Sequence, residues 1–216
     1  MAKARSTARP SSDDRRAAML EIARAAFLRE GYAAASMSEI AAKVGGSKAT
    51  LYSYFPSKKD LFTAVIEDEV RRMFVPLFDM DESQGSMRAI LEGFAQRFLK
   101  LLLTDDTIAF YRLIVAESAR FPEVGQAAYH LGVQHGTDKL AGIFAAAMER
   151  GELQRADASV AVRQFLALCG GELHRKRLFG VVGADDRAAV DKQARDSVAT
   201  FLAAYGVDEL SRSARA

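Results

Sequence analysis

The spacing of its apolar residues limits what this chain can fold into more than any other feature. They recur at intervals of three and four along almost the whole sequence, as on one face of an α-helix, and nowhere alternate convincingly as in a half-buried strand. Half of the residues are hydrophobic, which is enough for a real core, while Gly and Pro are few. We therefore predict an all-α fold.

The number of cysteines and the N-terminal segment indicate the cellular compartment in which the protein is expected to act. The single cysteine, Cys169, excludes an internal disulfide and cannot by itself form a cysteine-rich metal site. The basic residues 1–10 lead into no apolar segment of a signal peptide, and no run of 18 apolar residues marks a membrane span. The sequence therefore predicts a cytoplasmic protein with no membrane partner and a disordered basic tail over residues 1–10.

Charge is distributed unevenly along the chain. The formal net charge is only +2, yet residues 1–62 contain 11 Lys and Arg against 6 Asp and Glu. A basic segment joined to a mildly acidic remainder is typical of proteins whose basic part meets nucleic acid. Basic N-termini are common in other proteins as well, so the charge needs support from a motif.

Two helices, of which the second is short, are predicted before residue 45. Ser11 and Asp14 have the spacing of a capping box, so a helix is expected to begin there and to end at Gly31, a residue suited to a left-handed cap. Ser36 and Glu39 have the same spacing, which predicts a second capping box and a second helix.

The stretch VGGSKATLYSYFPSKKDLF, residues 44–62, predicts a third helix with an unusual surface. Its glycine pair can supply the positive φ of a tight turn, Ser47 can cap the helix, and only Leu51 and Phe55 share an inward face. The outward residues are small or polar: Lys48, Ala49, Thr50, Tyr52 and Ser53. Short helices joined by a glycine turn form a helix-turn-helix, whose polar helix stays unburied because its partner is DNA. The same polar face would also suit the solvated side of an ordinary helical bundle.

These residues resemble the DNA-binding domain of the TetR/AcrR family of bacterial transcriptional regulators. The resemblance rests on GGSKATLYSYFPSKKDLF at 45–62, preceded by FLREGY at 27–32 and SMSEIA at 36–41. One departure is Gly46, where the family commonly has valine. Two further stretches, at 110–130 and 163–180, resemble the C-terminal domain of AefR-like members.

The resemblance implies a homodimer that binds double-stranded DNA at an inverted-repeat operator, and usually repression that a small organic effector relieves. Carried over by position, it places six residues of the third helix against DNA: Ser47, Lys48, Ala49, Thr50, Tyr52 and Tyr54. Four others would hold phosphates: Ser36, Ser38, Lys58 and Lys59. For the serines, a helix cap is the alternative role, and the two roles can coexist.

The remaining sequence predicts a larger helical domain for dimerisation and ligand binding, over residues 63–210, after a helix-turn-helix domain over 11–62. A long helix from Ser57 to about Pro76 joins the two domains, and further helices are expected at 87–103, 107–120, 122–150, 158–179 and 187–205. Glycines at 125, 132 and 136 are candidate breaks in the 122–150 stretch. The last two helices have apolar residues on more than one face, so we predict that they pair with those of a second subunit as a four-helix bundle.

An apolar stripe in this larger domain is the predicted effector site. It consists of Phe94, Phe98, Tyr111, Ile114 and Phe165, with Arg112 or Glu117 orienting the ligand. An internal ion pair is the alternative role for Arg112 and Glu117, because a buried charge needs a partner.

Enzyme chemistry finds little support in the sequence. His130 and His135 are five residues apart and not at the i, i+4 spacing of a helical metal pair, and there is no HExxH, GxSxG or glycine-rich phosphate loop. We therefore predict no catalytic residue, metal or cofactor. The predicted function is a homodimeric repressor released by a small organic ligand. The alternatives are a DNA-binding protein without an effector, and an all-α enzyme with an incidental helix-turn-helix.

Overall fold

The computed structural model describes residues 11–45, 47–74, 77, 85–184 and 186–207. Within these ranges the chain is helical and contains no β-strand, which confirms the all-α prediction. The helices in chain order are α1 Ser12–Ala34, α2 Met37–Val44, α3 Lys48–Tyr54, α4 Lys58–Phe74, α5 Met87–Leu102, α6 Asp105–Ser118, α7 Pro122–Ala128, α8 His135–Glu149, α9 Ala158–Leu178 and α10 Arg187–Tyr205. None of the described helices is long and apolar enough to cross a membrane.

The chain divides into two compact units. The first unit comprises Met1–Asp68 and Leu113–Ala127, and the second unit comprises Glu69–Arg112 and Ala128–Ala216. Helices α4 and α6 are therefore continuous helices that begin in one unit and end in the other. The predicted domain boundaries at residues 62 and 63 stay a prediction.

Local capping explains where the helices of the first unit begin. Ser11 accepts a hydrogen bond from the backbone of Asp14, whose carboxylate accepts one from the backbone of Ser11, so the predicted capping box is present. These hydrogen bonds lower the pKa of Asp14. The capping box predicted at Ser36 and Glu39 is wrong, because the Ser36 hydroxyl accepts from the Ser38 backbone instead.

Aromatic side chains form the centre of the first unit. The ring of Tyr32 packs edge-on against Phe62 and Phe121, with both pairs of ring centroids 4.9 Å apart, and Phe27 lies 4.8 Å from Phe62. Offset and edge-on aromatic pairs of this kind add to the stabilisation that burial supplies. Phe121, which lies between α6 and α7, is thereby packed into the same small core as α1 and α4.

The core of the second unit lies among α5, α8, α9 and α10. Four buried phenylalanines meet there with ring centroids between 5.1 and 6.0 Å apart: Phe94, Phe144, Phe165 and Phe201. Val190, Val198 and Phe201 of α10 are buried in this core, and Leu202 and Tyr205 are partly buried against it. One apolar face of α10 is therefore covered within the second unit itself.

Two helices differ from the sequence prediction at glycines. Residues Tyr129–Gln134 form a π-helix that joins α7 to α8. The interruption predicted in this stretch is therefore a change of helix type and not a loop. Gly132 is buried there, and a β-carbon added to it would lie 3.5 Å from Val70 of α4, an ordinary packing distance. In α9, Gly171 has φ 35° and ψ −134°, which kinks a helix predicted to be continuous. The Leu168 carbonyl accepts hydrogen bonds from Gln193 and Ser197 of α10.

Other boundaries lie close to those predicted, except that α1, which is non-helical at its predicted end Gly31, extends to Ala34. The last helix begins and ends at the predicted residues, 187 and 205, and α5 ends one residue early. The predicted basic tail over residues 1–10 and the departure at Gly46 lie outside the described residues.

Candidate nucleic-acid interface

Helix α3 is held by two buried side chains and presents the rest of its surface outwards. Leu51 is 1% exposed and Phe55 is 3% exposed, as their spacing predicts. Gly45 has φ 74°, the left-handed conformation that the tight turn before α3 requires. Ser47 caps α3 by accepting from the backbone of Thr50 at 3.1 Å.

The outward residues of α3 form a small polar surface. The side chains of Lys48, Ala49, Tyr52 and Ser53 are exposed, and the Lys48 ammonium lies 5.8 Å from the Tyr52 ring centroid. The hydroxyls of Ser47 and Thr50 share a hydrogen bond of 2.9 Å, so each still has hydrogen-bonding capacity for another group. These are the donor and acceptor groups that read base edges or position phosphates in a DNA groove.

Tyr54 also contacts another helix of the first unit. Its ring is half-buried, and its hydroxyl shares a 3.1 Å hydrogen bond with the Ser12 hydroxyl of α1. Like Ser47, Tyr54 therefore has a side chain with a role inside the first unit.

The four predicted phosphate contacts differ in their surroundings. Ser38 and Lys59 are exposed, and Ser36 is the half-buried N-cap of α2. The Lys58 ammonium instead donates to the carbonyls of Ala33, at 2.9 Å, and Ala35, at 3.2 Å. It also lies 4.9 Å from the Tyr32 ring centroid, so Lys58 is engaged by its own unit on several sides.

Three of the predicted effector-site residues lie together in the second unit. Phe94 and Phe165 are buried, and Phe98 is half-buried with its ring stacked on Phe94 at a centroid distance of 6.0 Å. The three rings form one aromatic cluster beside the Phe144 and Phe201 rings.

The other four predicted effector-site residues have different surroundings. Arg112 donates to the Leu178 carbonyl, through Nε at 3.1 Å, and so satisfies the C-terminal end of α9. Tyr111 is 43% exposed and packs edge-on against His174. Ile114 and Glu117 belong to the first unit, where Glu117 accepts from the Ala33 backbone at the end of α1.

Sequence reasoning gave no role to two polar residues that the second unit encloses. Arg177 is 9% exposed and donates to the Leu103 carbonyl and to Asp105, so it joins the ends of α5, α6 and α9. Within the described residues, His174 Nε2 is buried without a hydrogen-bond partner, and burial lowers the pKa of this histidine. Both lie in the run HRKR at 174–177, whose basic composition is the ordinary signal of a helix C-terminus.

Cys169 lies in the core of the second unit and is fully buried. Burial raises the pKa of its thiol to about 12, with a small opposing effect from the Ser197 hydroxyl. No group of three or more acidic, histidine or cysteine side chains with metal-binding geometry occurs in the described ranges.

Two protein-family models match this chain. Residues 19–65 match the model described as bacterial regulatory proteins, tetR family, and residues 89–207 match the AefR-like transcriptional repressor, C-terminal domain. The second match spans more than half of the chain.

Solved structures with the same fold match over nearly their whole length. The Flavonoid-responsive Regulator FrrA superposes with a TM-score of 0.81 and 31% identity, over 90% of this chain and 98% of that one. A TetR-family transcriptional regulator from Mesorhizobium loti superposes with a TM-score of 0.76 and 28% identity, over 92% of this chain and 100% of that one.

Curated relatives match over a shorter length. The transcriptional activator FasR of Mycolicibacterium smegmatis is 36% identical over 86 residues, 38% of this chain and 39% of that protein. The transcriptional regulator EthR of the same organism is 37% identical over 70 residues, 32% of each chain. The matches thus span about a third to two fifths of these relatives. All of these proteins are regulators of transcription rather than enzymes.

Proposed function

This chain belongs to the TetR family of bacterial transcriptional regulators and has an AefR-like C-terminal domain, and from that premise we propose that it is a homodimeric repressor released from its operator by a small organic effector. Membership of this family makes the chain a DNA-binding regulator of transcription, and the proposal adds the dimer, the repression and the effector. The observation that carries the proposal is α3, which is fixed by Leu51 and Phe55 and leaves its polar residues exposed.

The proposed DNA contacts divide into two kinds. Lys48, Thr50 and Tyr52 on α3 are proposed to contact base edges, with Ser47, Ala49 and Tyr54 close to the groove. Ser36, Ser38 and Lys59 are proposed to hold phosphates, which position the protein and make binding depend on salt. Lys58 contacts two backbone carbonyls, which supports a role within the first unit in preference to the phosphate contact implied by the family resemblance.

The proposed dimer forms through α9 and α10. The outward face of α10 carries small residues, among them Ala199 and Ala203, beside charged ones such as Arg195. Small residues let helices approach closely, which supports a four-helix bundle between two subunits. A two-fold dimer would then place its two α3 helices in successive major grooves or at multiples of the helical repeat, about 34 to 36 Å apart per turn.

Repression is favoured over activation by the C-terminal domain, whose family is described as repressors. FasR, named an activator, matches over a smaller part of this chain. We propose that the larger domain, residues 63–210, binds the effector and that the helix-turn-helix domain, residues 11–62, binds DNA. The protein would act in the cytoplasm, where its operator lies.

The proposed effector is an aromatic organic molecule of the flavonoid class. FrrA, which is named flavonoid-responsive, shares 31% of its residues with this chain over 98% of its length. The aromatic cluster of Phe94, Phe98 and Phe165 suits a flat apolar ligand, since aromatic rings stack on one another. Tyr111 is proposed to line this site and Arg112 to orient the ligand. Ile114 and Glu117 belong to the first unit, where Glu117 accepts from the Ala33 backbone, so Arg112 is the favoured one of the two predicted orienting residues.

Calorimetric titration with a hydroxylated flavone tests this function. The operator is first isolated by selection from a randomised duplex library, and footprinting should show protection of an inverted repeat. Linkage requires that saturating operator weaken the flavone by the same factor by which the flavone weakens the operator, and about 100-fold corresponds to roughly 2.7 kcal/mol. Phe98→Trp should weaken the flavone response and leave operator affinity near normal. Equal flavone affinities with and without operator would exclude an effector-released repressor and favour a DNA-binding protein without an effector.

A further inference from the structure

A carboxylate lies against residues 31–35, where α1 is interrupted at the non-helical Gly31 and its last residues turn towards α2. The Ala33 backbone N–H donates to Glu117 Oε1 at 3.4 Å, although the two residues are 84 positions apart in the chain. Gly31 opens this turn with φ 80°, and a β-carbon added to Gly31 would lie 2.7 Å from the same oxygen. Glycine is thus favoured at position 31 by its conformation, and the short distance shows how closely the end of the Glu117 side chain approaches the backbone there.

An ammonium holds the same turn through its carbonyls. Lys58 donates to the Ala33 and Ala35 carbonyls, at 2.9 and 3.2 Å. Both backbone groups of Ala33 are therefore engaged by side chains, the N–H by the negative Glu117 and the carbonyl by the positive Lys58. Each charge matches the polarity of the group it meets, which makes both hydrogen bonds charge-assisted.

This turn sets the position of the helix-turn-helix. Ala35 ends the turn by donating to the Gly31 carbonyl, and the next residue, Ser36, is the N-cap of α2. The Gly45 turn then leads from α2 to α3. A displacement of the Gly31–Ala35 turn would therefore move Ser36 and the start of α2 directly.

We propose that Glu117 is a positioning residue for DNA binding, which fixes the α1–α2 turn and through it the placement of Ser36 and α2. The inference rests on the proposed function, because its test measures the affinity for an operator. Glu117 is half-buried, and burial of a charged carboxylate is unfavourable unless the charge is hydrogen-bonded. The hydrogen bond to the Ala33 N–H therefore explains the location of Glu117 better than a space-filling role does.

The experiment compares Glu117→Ala and Glu117→Gln with Glu149→Ala, which removes an exposed carboxylate from α8 in the second unit. The probe is the duplex operator selected from a randomised library. We expect Glu117→Ala to weaken operator binding about three- to tenfold, the value of one net hydrogen bond. Glu117→Gln should stay within about twofold of the wild type, since its amide oxygen still accepts from Ala33. Glu149→Ala should have no effect.

The sign of the effect separates positioning from simple electrostatics. Removing a negative charge favours a polyanion, so a fall in affinity on Glu117→Ala is opposite to what charge alone predicts. The salt dependence should be unchanged in all three variants, because Glu117 is not proposed to touch a phosphate. Hydrogen exchange of the Ala33 amide should be faster in Glu117→Ala than in the wild type and nearly normal in Glu117→Gln.

Several outcomes would overturn the inference. Glu117→Ala and Glu149→Ala could bind the operator equally, or the Ala33 amide could exchange at the same rate with and without the carboxylate. A loss of thermal stability with unchanged operator affinity below the transition would show a structural role only. If Glu117→Ala does not fold, the operator affinity and the Ala33 exchange rate of Glu117→Gln still test the inference, and a large change in both would contradict it. If the wild type selects no operator, the proposed function fails, while Ala33 exchange continues to test the contact.

Discussion

Replacing Lys58 by methionine should destabilise the first unit while leaving the salt dependence of operator binding almost unchanged. Methionine retains an apolar side chain of similar length and removes the ammonium. The two carbonyls that Lys58 satisfies, those of Ala33 and Ala35, then lose their donor. The ring of Tyr32 also loses the cation 4.9 Å from its centroid.

The size of the effect follows from these contacts. A hydrogen bond that involves a charged group contributes about 1.5 to 3 kcal/mol, and partial exposure of Lys58 places its pair of bonds near the lower value. A cation over an aromatic ring at an exposed site adds about 0.5 to 1 kcal/mol. We therefore expect the free energy of unfolding to fall by about 2 kcal/mol.

Lys59→Met is the matched control, because Lys59 is the exposed neighbour in the same helix turn. Urea unfolding followed by far-ultraviolet circular dichroism measures stability, and operator titrations at several salt concentrations measure the slope of log K against log salt. Each phosphate contact contributes about 0.9 to that slope. Lys59→Met should reduce the slope by nearly that amount and change stability by less than about 0.5 kcal/mol. A slope reduced equally by both substitutions, with stability intact in Lys58→Met, would refute the internal role of Lys58.

Three further predictions concern the second unit. Burial lowers the pKa of His174 from 6.5, so on acidification the unfolded chain binds the proton before the folded chain does. The free energy of unfolding should therefore fall as the pH drops below about 6.5. His174→Phe should reduce that fall, and a pH profile of stability identical to that of the wild type would contradict the argument. The Cys169 thiol, whose pKa burial raises to about 12, should react with a disulfide reagent at pH 8 only as fast as the protein opens, and rapid reaction in the native protein would argue against its burial. Arg177→Met should cost about 1.5 to 3 kcal/mol of stability, whereas the exposed Arg175→Met should change it by less than about 0.5 kcal/mol, and equal effects would contradict the role of the buried guanidinium.

Features that depend on neighbours along the chain could be predicted from the sequence. The cap at Ser47, the left-handed Gly45 and the inward pair of Leu51 and Phe55 all follow from spacings of five residues or fewer. Helix α10 was predictable for the same reason, since a regular apolar stripe specifies a helix without reference to its partner.

Features that depend on distant partners could not be predicted. Arg112 meets Leu178, 66 residues away, and Glu117 meets Ala33, 84 residues away, so their hydrogen bonds are set by how the helices pack. The kink at Gly171 likewise depends on Gln193 and Ser197 of α10, which donate to the Leu168 carbonyl. Lys58 resembles a family phosphate contact in sequence, and only its surroundings reveal the carbonyls beside it.

The burial of Cys169 makes this protein convenient for spectroscopic labelling. The chain has no tryptophan and no second cysteine, and its one thiol is enclosed in the core. A cysteine introduced at the exposed position Ala42 in α2 would therefore be the one accessible thiol of each subunit, with no need to replace the native residue. In a dimer, paired spin labels or fluorophores at that position would report the separation of the two DNA-binding units as a distance, directly and in solution.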